Sequence, residues 1–310
     1  MKRIFLLFLV LLCLIFPSCA KKQEAVNDTY FTFTDDTGKE ITLSEKPKKV
    51  AVLFSSYAQM VLLAGGSVSV TVGESIERGF ADEGTFLVDE GAGKKINTEL
   101  LIAEQCDLVI GSVDIAEHNK TAGFLSEAGI PAALFRVESF EDYERVMREL
   151  CGIFSDEEGY RQNVVRVKNG IEKVLSQIPE GEPKKILFVR CASGAKATKA
   201  KTKDNSFVCR MLYEMNTYNI AENAPLLLDG LSTEEILIEN PDYIFFSTMG
   251  DEDAAKKYMM SLLEQDEWQM LSAVKNENYT FLDKNLFQYK PNDRWDEAYK
   301  ILAELLYGKE

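Results

Sequence analysis

Asn97-Thr-Glu-Leu-Leu-Ile-Ala-Glu-Gln-Cys-Asp-Leu-Val-Ile-Gly-Ser112 and Ser232-Thr-Glu-Glu-Ile-Leu-Ile-Glu-Asn-Pro-Asp-Tyr-Ile-Phe-Phe-Ser247 align without a gap at a constant offset of 135. Thr98/Thr233, Glu99/Glu234, Glu104/Glu239, Asp107/Asp242 and Ser112/Ser247 are identical pairs. Each copy opens on a capping residue, continues as a short apolar-periodic helix and passes through Asp into a continuous apolar strand. Between the copies, residues 155–178 run about 24 positions without Pro. Val164, Val167, Ile171, Val174, Leu175 and Ile178 recur there at helical spacing, and Pro179 follows. One unit repeated on either side of one long helix predicts two similar lobes joined by a spine.

The rest of the chain fits that frame. Residues 30–34 and 40–43 alternate around Asp35-Asp36-Thr37-Gly38, which reads as a β-hairpin. Strands are expected at 50–54, 68–72, 107–110 and 132–135, with helices at 97–105 and 121–128. After the spine come strands at 185–189, 242–246 and 279–282, and helices at 207–215, 232–239, 253–265 and 293–306. Alternation of this kind means α/β layers on a largely parallel sheet. The expected organisation is a first lobe over 30–152, a connecting helix over 153–180 and a second lobe over 181–310.

The start of the chain reads as a targeting segment. Met1-Lys2-Arg3 is basic, and Ile4–Phe16 is an uncharged apolar run of 13 residues, too short to span a bilayer comfortably. Pro17-Ser18-Cys19 follows and resembles a bacterial lipoprotein processing site, with Phe16 where Leu is usual. Residues 1–18 are therefore read as a signal peptide, and 19–29 as a tether lipidated at Cys19. Removing Lys2 and Arg3 takes the net charge from −15 to −17. So acidic a chain argues against a nucleic-acid partner.

Several chemistries are excluded. One histidine, His118, leaves no room for a zinc or manganese site built from several imidazoles, or for a conventional triad. No cysteines form a CxxC pair. Cys106 and Cys151 read as small buried hydrophobes, and a disulfide between Cys191 and Cys209 stays open. Gly91-Ala-Gly-Lys-Lys95 is not a phosphate loop, because Val88 stands for the first Gly and Lys95 for the magnesium-binding hydroxyl. No catalytic residue, metal site or intrinsic cofactor is assigned.

In α/β layers ligands meet the carboxyl ends of the strands. That rule selects Ser56, Tyr57, Arg78, Phe80 and Ser112 in the first lobe. It selects Arg190, Thr248, Met249, Phe287 and Tyr289 in the second. Hydroxyls, aromatics and a few cations suit a large, partly apolar, partly anionic ligand. The stretch 187–203 carries Arg190, Lys196, Lys199, Lys201 and Lys203 and no acid. It is either an anion contact or a solvated loop. His118 is read as a loop residue facing water, and Trp268 and Trp295 as packing in the second lobe.

The chain resembles the class III solute-binding lipoproteins of iron–siderophore, haem and cobalamin ABC importers, over residues 30–308. The likeness rests on the hairpin with Pro47-Lys-Lys-Val50, the two Thr-Glu…Asp segments, Trp268-Gln-Met-Leu-Ser-Ala-Val-Lys275 and Phe287-Gln-Tyr-Lys-Pro-Asn-Asp-Arg-Trp295. The first copy departs from the pattern at Gln105-Cys106-Asp107, where Pro is common before Asp. The resemblance implies two α/β lobes bridged by one helix, with the ligand in the cleft between them. It implies an iron complex or tetrapyrrole as cargo, and an ABC permease dimer with its ATPase as partners. Glu99 and Glu234, with Glu235 as alternate, would meet an Arg on each permease subunit. If the cargo is haem, Tyr57, Tyr289 or Met249 are candidate axial ligands. A corrinoid cargo, an exported enzyme on the same scaffold and a surface receptor without transport are the competing readings.

Several acyl chains anchor a protein stably where one is marginal. Mass spectrometry of the native N-terminus is expected to find an acylated Cys19; an unmodified chain starting elsewhere would refute the lipoprotein reading.

Overall fold

The computed structural model describes residues 29–89 and 95–308. The segment read as a signal peptide, Cys19 and most of the expected tether lie outside the described residues, as does most of Gly91–Lys95. Among the described residues no helix is long and apolar enough to cross a membrane.

A hairpin of β1 (Phe31–Thr34) and β2 (Glu40–Leu43) opens the fold. Asp35 closes its turn by accepting the N–H groups of Thr37 and Lys39 at 2.9 and 3.1 Å, and its second oxygen accepts Leu134 N–H at 3.0 Å. The first lobe holds a five-stranded parallel sheet: β3 (Val50–Val52), β4 (Val70–Thr71), β5 (Phe86–Leu87), β6 (Leu108–Ser112) and β7 (Ala132–Phe135), in the order β5-β4-β3-β6-β7. The second lobe holds β8 (Lys184–Cys191), β9 (Lys199–Ala200), β10 (Thr217–Asn219), β11 (Tyr243–Thr248) and β12 (Tyr279–Phe281). The parallel order is β10-β8-β11-β12, with β9 antiparallel to β8. β5, β9 and β10 are additions to the expected strands; at two or three residues they carry no readable alternation.

The helices that position the cleft are α1 (Ser55–Leu63), α2 (Thr98–Ala103), α3 (Ala116–Glu127), α4 (Phe140–Phe154), α5 (Phe207–Glu214), α6 (Thr233–Glu239), α7 (Glu252–Leu263) and α8 (Trp295–Tyr307). The spine is helical over residues 157–175, shorter at both ends than expected. Ser155 adopts φ 54°, which breaks the chain after α4, and Asp156 caps the new helix through Gly159 N–H at 2.9 Å. Gly159 is required there, because a Cβ would stand 2.7 Å from the Leu63 carbonyl oxygen. A single π turn, Arg161–Val165, follows, and Asn163 donates to that same carbonyl at 2.8 Å.

The duplicated segment has a physical explanation. Asp107 Oδ2 accepts the N–H groups of Lys48 and Lys49, both at 2.8 Å, and Asp242 Oδ2 accepts Lys185 N–H at 2.9 Å. Lys49 pairs with Glu104 at 2.8 Å and Lys185 with Glu239 at 3.5 Å. In each lobe the same Asp and Glu therefore fasten the helix–strand unit onto the entry of the first sheet strand. Left-handed Gln105 and Asn240 (φ 50° and 45°) end the two helices alike.

One apolar core runs through both lobes. Val52, Ile110 and Phe135 of the first sheet, Val164, Val167 and Ile171 of the spine, and Ile186, Phe188 and Phe245 of the second sheet belong to it. Trp295 sits at the joint. It meets Phe140 of the first lobe and Phe207 of the second edge to face, at 6.4 and 5.6 Å between ring centres. It is therefore an interlobe residue, whereas Trp268 packs in the second lobe as expected. Cys106, Cys151, Cys191 and Cys209 are buried free thiols, so no Cys191–Cys209 disulfide is present.

Candidate ligand-binding cleft

Strand order places the site. In the first sheet the chain leaves β3 toward β4 on one side and returns as β6 on the other. In the second it does the same about β8 and β11. The crevice beyond the carboxyl ends of such strand pairs is where α/β sheets receive ligands. Ser55, Ser56 and Ser112 stand at the first switch point. Arg190, in register with Ser247, stands at the second.

Alternation along β8 and β11 sorts the side chains there. Ile186, Phe188 and Phe245 face the core shared by the lobes; Leu187, Val189, Ile244 and Phe246 face the outer core of the second lobe. Arg190 and Ser247 continue the first set and Thr248 the second. Arg190 and Ser247 accordingly line a cavity of about 90 Å³ with Glu138, Lys201, Phe207 and Lys290. Thr248 is corrected: it is buried on the opposite face, its hydroxyl without a partner. Ser247 takes its place. Met249 is half-exposed just beyond the strand, and Phe287 is buried at the back of the cavity. Two roomier hollows, of about 620 Å³ between spine and α8 and about 770 Å³ around Arg148, lie away from the strand ends.

The cavity is electrostatically unbalanced. Lys290 Nζ reaches Glu138 Oε1 at 2.6 Å, joining the lobes. The guanidinium of Arg190 and the ammonium of Lys201 make no hydrogen bond or ion pair among the described residues. Burial pushes the pKa of Arg190 down against the opposing field of Glu138. For Lys201, burial and then the neighbouring Arg190 do the same. The basic stretch is thereby divided: Arg190 and Lys201 enter the cavity, Lys196 is exposed, and Lys203 lies against the Tyr213 ring at 4.1 Å.

Arg78 is already engaged. It donates to Ser55 Oγ at 2.8 Å and Ser56 Oγ at 3.0 Å, while Ser55 in turn donates to Glu74. Its guanidinium lies 3.9 Å from the Tyr289 ring centre and 4.8 Å from that of Phe80. Phe80, Arg78 and Tyr289 thus form a stack that spans the lobes. Ser56 is fully buried and supports Arg78 from beneath. Tyr57 does not reach the cleft. Ser55 opens helix α1 rather than a loop, so Tyr57 turns into the core at 2% exposure and donates to the Phe135 carbonyl at 2.9 Å.

His118 is also corrected. It belongs to α3 and is buried, 1% exposed. Its Nδ1 accepts Ser112 N–H at 3.0 Å, which leaves the proton on Nε2, an atom without a partner. Ser112 is therefore fixed by His118 at the strand end. Glu99 and Glu234 are exposed in the first turns of α2 and α6. Neither caps its helix: Asn97 accepts Leu100 N–H and Ser232 accepts Glu235 N–H instead. Glu138 and Lys290 went unread in the sequence. The only available signal for Lys290 was its place inside the Phe287–Trp295 motif.

Burial holds the His118 pKa down from 6.5 to about 4. The unfolded chain binds the extra proton first, so this residue leaves stability intact above pH 6.5 and erodes it as pH falls toward 4. The loss approaches about 3 kcal/mol. Melting temperatures measured between pH 7 and 4.5 should fall more steeply for the wild type than for His118→Asn, whose amide oxygen can still accept from Ser112. Equal slopes would refute the assignment.

A family model described as periplasmic binding protein matches residues 50–286. Among solved structures, a periplasmic solute binding protein from Veillonella parvula DSM 2008 superposes with a TM-score of 0.66 at 19% identity, covering 89% of this chain and 85% of that one. Staphylococcus aureus SirA complexed with staphyloferrin B gives 0.67 at 17% identity, over 90% and 98% of the two chains. S. aureus IsdE complexed with heme gives 0.66 at 15%, over 84% and 98%. Identities this low establish the fold alone. No curated protein matches the sequence. The family match runs from the first sheet strand to the helix after β12, across both lobes and the spine, and on that ground the chain belongs to the periplasmic binding protein family.

Proposed function

We propose that the chain is the extracytoplasmic substrate-binding lipoprotein of an ABC importer, anchored through Cys19, and that its cargo is an anionic iron chelate of the ferric-siderophore or haem kind. The observation that carries the reading is Arg190: a half-buried guanidinium at a switch point, beside Lys201, with no ion-pair partner among the described residues. A planar cation in that setting suits a carboxylate. The ligands of SirA and IsdE, staphyloferrin B and heme, agree with this class. Within it, a ferric chelate rich in acid groups is favoured over haem. Tyr57 and His118 are buried, and the Tyr289 ring lies over Arg78, which leaves Met249 as the accessible axial ligand.

A panel of ferric siderophores, haem and cobalamin, followed by thermal melting, identifies the cargo; a ligand at 100 times its Kd stabilises by about 2.7 kcal/mol. Against that cargo Arg190→Ala is expected to weaken binding about tenfold or more, the effect of one charge-assisted hydrogen bond. Unchanged affinity would remove the anion site.

Docking rests on Glu99 and Glu234, one exposed acid on the matched helix of each lobe. Such charges steer and orient a complex more than they tighten it. Glu99→Ala and Glu234→Ala are expected to leave ligand affinity and melting temperature within experimental error. Each should lower ATPase stimulation in a reconstituted importer, and the double variant should lower it further. Full stimulation by the double variant would end the docking assignment.

A further inference from the structure

The cavity between the lobes already contains an acid. Glu138 lies between β7 and α4 in the first lobe, with Oε1 2.6 Å from Lys290 Nζ. The pair is well shielded: the Lys290 side chain is 12% exposed, and its ammonium sits 4.7 Å from the centre of the Phe207 ring. Arg190 and Lys201 line the same cavity without an ion-pair partner among the described residues. Three cations therefore share one carboxylate, in a chain whose net charge is −15.

Glu138 has no local structural duty that needs its carboxylate. Ser139 caps α4 by accepting Asp142 N–H at 3.2 Å, and the backbone N–H of Glu138 is held by Asp142 Oδ2 at 2.9 Å. The side chain's contact is made across the cleft, to a residue 152 positions away.

We propose that Glu138 is an internal stand-in for one acid group of the ligand and sets a threshold on ligand charge. It holds Lys290 while the cleft is empty and is displaced when a polyanion engages Arg190, Lys201 and Lys290 together. This rests on the reading of the cleft as an anion site and adds a rule of selection. A monocarboxylate engages one free cation, Arg190 or Lys201, and leaves Glu138 on Lys290. A ligand with three acid groups engages Arg190, Lys201 and Lys290 together, so it alone displaces Glu138 with a net gain in binding free energy. Selectivity of this kind comes from a built-in competitor rather than from an added contact.

Isothermal titration of the mature chain with citrate, a polycarboxylate, and acetate, a monocarboxylate, tests the proposal. The wild type should bind citrate at least tenfold more tightly than acetate, which meets a single cation. Glu138→Gln should bind citrate about tenfold more tightly, the fold-change of one charge-assisted hydrogen bond no longer surrendered, and should bind acetate more tightly than the wild type does. Glu141→Gln removes the same charge from an exposed neighbour and should change citrate affinity by no more than about twofold, since solvent screens it. The proposal is overturned if Glu138→Gln leaves citrate affinity unchanged or weaker, if Glu141→Gln matches its effect, or if neither wild type nor Glu138→Gln binds citrate. Arg190→Ala separates the two readings. If it abolishes citrate binding while Glu138→Gln does nothing, the anion site stands and the threshold falls. If neither substitution matters, the anion site falls as well.

Discussion

Trp295, wedged edge-on between Phe140 and Phe207, is the contact on which the geometry of the cleft depends. It is fully buried, and it begins the helix that packs along the spine. Two α/β lobes joined by a flexible strand of chain would move freely, because interfaces between domains are usually modest and polar. Here the core continues from one sheet, through the spine, into the other. The carboxyl ends of β3 and β6 therefore face those of β8 and β11 across a fixed gap. The polar crossings reinforce this. Asn292 donates to the Ser56 carbonyl at 2.8 Å and to Gln59 at 2.8 Å, and Arg166 pairs with Asp296 at 3.1 Å.

A rigid gap lets charge be placed where solvent would otherwise dissipate it. Half-buried cations lose hydration, and a partner or a ligand must replace it. Arg78 finds its replacement within the protein, in two serine hydroxyls and two aromatic faces. Lys290 finds one in Glu138. Arg190 and Lys201 find none among the described residues. The four cations, all near the same strand ends, thus differ in whether the protein itself replaces their lost hydration.

The two copies of the Thr-Glu…Asp segment place their shared acids in two different settings. Glu104, Asp107, Glu239 and Asp242 look inward along the chain and fasten each unit to its first strand. Glu99 and Glu234 are exposed and make no hydrogen bond or ion pair among the described residues. Identity at the inner positions follows from the fold alone. Identity at the outer ones does not, since Asn97 and Ser232 already cap the helices.

Periodicity and repetition made the architecture legible: the apolar stripe of residues 155–178, the alternation of strand and helix and the 135-residue offset read directly as two lobes on a spine. These are local signals, and local signals persist in the fold. The site was legible only as a set of strand ends. Which side chain at each end faces the cleft depends on the strand's exact register, and a shift of one residue exchanges Ser247 for Thr248. Tyr57 was lost to the core because the chain enters a helix at Ser55, with Phe54 at the N-cap position and no capping side chain to announce it. His118 was lost because its partner is a backbone N–H brought to it by the turn after β6. Composition and spacing alone thus determined the fold class, the acidic surface and the absence of a multi-histidine site. Tertiary packing decided that Glu138 and Lys290 meet and that Arg190 does not, because pairing between residues 152 positions apart is set by how the lobes close on their shared core, not by either residue's neighbours in the chain.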